Sequence, residues 1–263
     1  PADVLITVDA MKLNRAKELD LLQAVEANTN NAPTFIEEEG YWYGITYRAR
    51  VIVYDKESVN ESELSTYEDL SNDKWDDRLL IRSSSSTYNQ SLLASIIEAT
   101  DEETATNWAS AVVDNLAREP KGGDRDQIKA IASGVGEVAV VNTYYLGLML
   151  NSPNQEEVEA ANKVGIFFPN QDGRGAHINI SGIGVTKNAP NKENAIKLIE
   201  FLTSDEIQSM YTNNSYEFPV SQNVSPAETV ANWGEFKIDN LNYAKKTNLN
   251  DQAVSIFEQV GWK

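Results

Sequence analysis

Three observations predict an α/β fold in two lobes. Strand-like apolar runs alternate with amphipathic helical stretches along the whole chain. At 263 residues the chain is long for one compact core and suits two. Two of the apolar runs end in distinctive chemistry: a serine loop after Ile81 and a tyrosine pair after Val141. In α/β sheets ligands bind beyond the carboxyl ends of the strands, which is where these segments fall.

The elements follow in order. "PADVLITVDA" opens with a strand over Val4 to Val8. A helix is expected over 11–25, from the spacing of Leu13, Ala16, Leu19, Leu22 and Val25. "RVIVY" at 50–54 reads as a second strand. "RLLIRSSSSTYNQ" runs from a strand through the serine loop into the helix "SLLASIIEAT". "DRDQIKAIASGVGEVAVVNTYY" is a helix, a glycine turn and a buried strand, and "VGIFFPNQDGRGAHINISGIGVT" is two strands around a Gly/Pro turn. "NAPNKENAIKLIEFLTS" is a helix with Pro190 near its first turn and Ala195, Leu198, Ile199 and Leu202 as its apolar stripe. Ser204 is the expected N-cap of the next helix. The alternation predicts largely parallel sheets.

Composition removes several function classes. A net charge of −18, from 40 acids against 22 bases, argues against a nucleic-acid partner. "FIEEEG" at 35–40 reads as a solvated charged face. No segment approaches the roughly 18 continuous apolar residues of a membrane span. No basic-then-apolar leader opens the chain at Pro1, so a signal peptide is expected to be cleaved or never present. The absence of cysteine removes thiol catalysis, zinc–thiolate sites, iron–sulfur clusters and disulfides. The single histidine, His177, leaves most histidine-based metal sites and catalytic machineries without their ligands.

Enzyme motifs fail on context. "GVGEVA" at 134–139 mimics a dinucleotide fingerprint but precedes its strand instead of following it. Ser181 lacks the G-x-S-x-G elbow. In "GGDRDQI" the acids Asp124 and Asp126 read most simply as a turn capping the following helix.

The tyrosines resist a bland reading. Successive helical residues point about 100° apart, so Tyr144 and Tyr145 cannot both enter one core face. A phenol is neutral near pH 7 unless a strong cation drives its proton off, and phenolate is a hard anionic ligand suited to ferric iron. Tyr88 ends "IRSSSSTY" in the equivalent position after another strand. The alternative is structural: one tyrosine packed and one wet at a helix start, with Ser83 to Ser86 serving as helix caps or as part of an anion-holding helix N-terminus. Arg48 and Arg50, on one side of their strand by alternation, are candidate cationic neighbours. His177 reads as a hydrogen-bonded structural residue.

Taken together, "PADVLITVDA", "YWYGITYRARVIVYDK", "RSSSSTYNQSLLAS", "GGDRDQIKAIASGVGEVAVVNTYYLG", "RGAHINISGIGVTKNAPNKENAIKLIEFL" and "AVSIFEQVGWK" resemble the periplasmic ferric-iron-binding proteins, in particular their cyanobacterial-type branch. These are the substrate-binding subunits of bacterial Fe3+ ABC importers. The resemblance covers essentially the whole chain, and "NTYY" with its "GGDRDQIKA" lead-in is its most specific part. It implies a type II periplasmic-binding-protein fold, two α/β lobes joined by crossing strands with a ligand cleft between them. The expected division is 1–46 plus 176–263 for the first lobe and 47–175 for the second. It implies Tyr88, Tyr144 and Tyr145 as metal ligands, with Arg48 of "RARV" beside the metal. It further implies Fe3+ as the transported ligand, a synergistic anion such as carbonate, an inner-membrane ABC permease as partner, a periplasmic location, a monomer and no catalysis. A receptor for an organic anion or polyamine on the same fold is the alternative; a two-lobed hydrolase or transferase is the further one.

Two departures from the family pattern stand out. Relatives carry several dozen residues before "ADVLITVDA", including a strand that supplies another tyrosine or histidine, so the first-lobe ligand is not expected among these residues. Asp9, at the end of its strand, is the substitute considered. The helix after Tyr145 reads "LGLML", with Leu148 and Met149 where many relatives carry an arginine.

Overall fold

A computed structural model describes residues 2–239, 246 and 248–263. In chain order its main elements begin with β1 (Val4–Thr7), α1 (Ala10–Glu18), β2 (Leu22–Gln23), β3 (Tyr43–Asp55), β4 (Leu79–Leu80), α2 (Thr87–Ala99), α3 (Glu102–Asp114) and α4 (Asp124–Ala132). They continue with β5 (Val138–Asn142), α5 (Thr143–Leu150), α6 (Gln155–Lys163), β6 (Val164–Phe167), β7 (Ile178–Thr186), α7 (Lys192–Leu202), α8 (Asp205–Ser215), β8 (Phe218–Pro219), α9 (Glu228–Ala231) and α10 (Asn248–Val260).

The chain divides into two compact units, Pro1–Arg48 with Asn179–Gly234, and Ala49–Ile178 with Glu235–Lys263. The backbone passes from one to the other within β3 and within β7. The division differs from the expected one at its end, because residues 235–263 group with the second unit. There α10 packs on α2 and α3, burying Leu249, Ala253, Ile256 and Phe257. Such an attachment is made by tertiary contacts far apart in sequence and leaves no local signal.

In the first unit β1 and β2 pair antiparallel with β7, and β8 pairs antiparallel with the start of β3. Val25, Tyr43, Ile45, Ile183, Val185, Ala195 and Ile199 form its core cluster. The helix expected over 11–25 stops at Glu18, because Asp20 turns left-handed (φ 59°) and Leu22 enters the sheet. Pro190 lies before the first turn of α7, whose cap residue is Asn191. Ser204 occupies the cap position of α8, but its hydroxyl donates back to the Phe201 carbonyl (2.8 Å) instead of capping.

In the second unit β3 pairs antiparallel with β5 and β6, while β4 and β5 run parallel. The sheets are therefore mixed, not largely parallel. The strand expected at 50–54 is the end of a 13-residue strand whose neighbours run against it. Leu79, Leu80, Val138, Ala139, Val140 and Val141 are buried, as both-face-covered strands require. α4, α5 and α6 pack together beside β5.

Candidate metal site

The parallel pair β4–β5 positions the site. Each strand hands the chain to a helix at its carboxyl end: β4 through residues 81–86 to α2, and β5 directly to α5. Tyr88 is the second residue of α2, and Tyr144 and Tyr145 are the second and third of α5. Neighbouring helix starts thus carry all three phenols.

The phenols meet. The rings of Tyr144 and Tyr145 lie 4.0 Å apart at 31°, so the two neighbours turn toward each other despite their helical offset. The Tyr144 hydroxyl lies beside both Tyr145 and Tyr88. Burial pushes the Tyr144 phenol strongly up, and the charge of an ionised Tyr88 or Tyr145 beside it would push it further. Without a cation Tyr144 is therefore a neutral phenol at any physiological pH. Other tyrosines spend their hydroxyls on the fold. Tyr43 donates to the Val25 carbonyl (2.7 Å), Tyr54 to Glu61 (3.0 Å) and Tyr67 to the Arg50 carbonyl (2.6 Å).

Arg82, which sequence reasoning passed over, stands against this cluster. Its guanidinium lies 5.7 Å from the centre of the Tyr88 ring. Burial disfavours its charge, but Asp124 and Tyr145 outweigh that and hold it protonated. Asp124, read in the sequence together with Asp126 as a helix cap, has a different role. Gly123 is the N-cap residue of α4, and its amide donates to the Asp126 carboxylate (2.6 Å), so Asp126 is the capping acid. Gly122 makes this turn possible: its φ is +75°, and a Cβ there would sit 2.5 Å from Asp126 Oδ2. Asp124 instead is fully buried and accepts from Arg50 (3.2 Å) and Arg82 (3.4 Å).

The remaining sequence candidates fall elsewhere. Arg48 belongs to the first unit, where it donates to Ser181 Oγ (2.6 Å) and the Val8 carbonyl and lies 3.9 Å from Glu217. Arg50, on β3 in the second unit, is the arginine tied to the tyrosine-bearing elements. Asp9 caps α1: its Oδ1 accepts from the Met11 amide (2.9 Å) and its Oδ2 from Asn179 (2.5 Å). His177 is fully buried, 3.3 Å from Ser91 Oγ, and burial together with Arg50 and Arg174 holds its pKa well below the ordinary value, so it is neutral. Among the described residues no group of three or more His, Cys, Asp or Glu side chains could hold a metal ion. The donor set on offer is phenolic.

The fold and this arrangement define a two-lobed α/β solute-binding protein. The family model described as "Bacterial extracellular solute-binding protein" matches residues 1–247, and the chain belongs to that family. It is a binding protein and not an enzyme. The relative named "Iron uptake protein A1" of Synechocystis sp. is 47% identical over 266 aligned positions, covering 100% of this chain and 74% of the relative. The solved structure titled "Trichodesmium (IdiA) (FutA) in complex with iron and citrate ligands" superposes with a TM-score of 0.94 at 48% identity, covering 100% of this chain and 84% of that one. "Apo FutA2 from Synechocystis PCC6803" gives 0.93 at 40% identity, covering 100% and 85%. Among the described residues no helix is long and apolar enough to cross a membrane.

Proposed function

We propose that this protein captures ferric iron through the phenolates of Tyr88, Tyr144 and Tyr145 and delivers it, in the periplasm and as a monomer, to an ABC permease. The observation that carries the reading is the convergence of three phenols at two neighbouring helix starts. Such a cluster contributes little to stability, since the tyrosines that serve the fold give their hydroxyls to backbone carbonyls or to a carboxylate. It is well built for a hard trivalent cation. Three phenolates balance the charge of Fe3+, and Arg82 stands beside the cluster, 5.7 Å from the centre of the Tyr88 ring. The names of the relatives, which speak of iron uptake and of an iron and citrate complex, support the same cargo. Arg82 is the cationic neighbour within the second unit in this reading, Arg48 of the first unit remains the candidate beside the metal, and a synergistic anion such as carbonate would complete the coordination. Reduction would favour release, because Fe2+ has a lower charge density and holds phenolate less strongly.

The test is optical. Ferric citrate added to the iron-free protein should produce a visible phenolate-to-iron charge-transfer band. Tyr144→Phe with Tyr145→Phe should abolish it, and Tyr88→Phe should weaken and displace it. A parent protein without the band, or a double variant that keeps it unchanged, contradicts the assignment.

A further inference from the structure

We infer that Asp124 is a positioning residue for the phenol cluster, acting as the centre of a buried Arg50–Asp124–Arg82 bridge that locks the starts of both tyrosine-bearing helices. The inference rests on the ferric reading and deepens it.

The geometry carries the inference. Asp124 Oδ2 accepts from Arg50 Nη1 (3.2 Å) and from the Asn142 amide (2.7 Å), and Oδ1 accepts from Arg82 Nη1 (3.4 Å). Asn142 is the residue immediately before α5, so one carboxylate oxygen fixes the helix start that holds Tyr144 and Tyr145. The other oxygen holds Arg82, whose guanidinium lies over the face of Tyr88. The second arm runs through Arg50. Its Nη2 donates to Asn89 Oδ1 (2.8 Å), next in sequence to Tyr88. Asn89 Nδ2 in turn donates to the Arg82 carbonyl (2.7 Å) and the Ser83 carbonyl (3.2 Å), closing the serine loop onto α2. One carboxylate therefore ties α4, α5, α2 and the serine loop at a single point.

Stability alone explains such a bridge poorly. Arg50, Asp124 and Asn89 are taken out of water and Arg82 partly so, and buried ion networks of this kind seldom gain net stability over apolar packing. What they do give is a unique geometry, and a metal site needs its donors held in place by partners outside the coordination sphere. Three phenols from two helices must bring their oxygens to one ion, and the bridge fixes the two helix starts against each other.

Two substitutions in the full chain separate positioning from charge. Asp124→Asn removes a negative charge near the phenols. Charge alone would then favour phenolate and tighten iron, whereas loss of the lock loosens it. Arg82→Lys keeps the charge but cannot hold Asp124 and cover the Tyr88 ring at once, because an ammonium lacks the planar guanidinium fork. Both variants and the parent are loaded with ferric citrate, and the charge-transfer band and the iron retained against excess citrate are recorded. The lock predicts that each variant loses iron about tenfold more readily and shows a displaced band. Folded variants that retain iron and the band as the parent does overturn it. Should Asp124→Asn fail to fold, Arg82→Lys decides, since that side chain is 23% exposed and tolerates change. A parent protein with no band defeats the ferric reading itself and the lock with it, an outcome distinct from an intact parent band with indifferent variants.

Discussion

Tyr144 is the residue whose chemistry depends most on its neighbour. Burial and the adjacent phenols raise its pKa, so the iron-free protein holds it protonated. Each phenol that binds iron as phenolate must release a proton, so apparent iron affinity rises with pH, by up to about one decade per pH unit for each such ligand. Citrate competition between pH 6 and 8 should show the rise; a flat profile would mean that phenolates do not form. His177 makes a prediction of the opposite kind, about stability. Its folded pKa lies well below the ordinary value near 6.5, so the unfolded chain binds a proton first as pH falls. Stability is fully present above that ordinary value and is lost progressively below it, at up to about 1.4 kcal/mol per pH unit. His177→Gln should flatten this part of the denaturation profile between pH 6.5 and 5. The three tyrosines were legible because each follows an apolar strand at a helix start and matches a known pattern. Arg82 and Asp124 were not, because a bridge between residues 42 apart writes no local periodicity.

At the scale of elements, α10 and the residues after it buttress the serine loop. The Trp262 indole nitrogen donates to the Arg82 carbonyl (3.0 Å), and the Ser84 amide donates to the Lys263 carbonyl (3.0 Å). Trp262 packs on Phe257 and Trp108, with ring centres 4.9 and 6.1 Å away. Trp262→Phe removes the hydrogen bond while keeping most of the ring, and should cost about 1 kcal/mol in chemical denaturation. Trp262→Ala should cost about 3–5 kcal/mol and weaken iron retention as the loop loosens. Equal iron retention in a folded Trp262→Ala protein would disconnect this segment from the site. The strand–helix alternation was readable here, yet helix ends and pairing sense were not. Asp20's left-handed turn ends α1 well short of the apolar periodicity, and β3 runs against its partners in spite of the α/β rhythm.

At the scale of the molecule, the composition already confines the chemistry. With no cysteine and one buried histidine among residues 1–263, the ligands that this stretch can offer a metal are oxygens. Iron that binds the folded state alone stabilises it by mass action, about 4 kcal/mol at a thousandfold excess over Kd. For a chain of this size that corresponds to a rise in Tm on the order of 10 °C. The shift should vanish in the Tyr144→Phe, Tyr145→Phe protein, whereas a different solute would preserve it.

The most direct measurement is a crystal structure of the ferric-loaded protein with anomalous data at the iron edge. The phenolate account predicts one strong peak within bonding distance of the hydroxyl oxygens of Tyr88, Tyr144 and Tyr145, with Arg82 still joined to Asp124. A peak bound elsewhere, or by carboxylates with the three phenols left unligated, would contradict it.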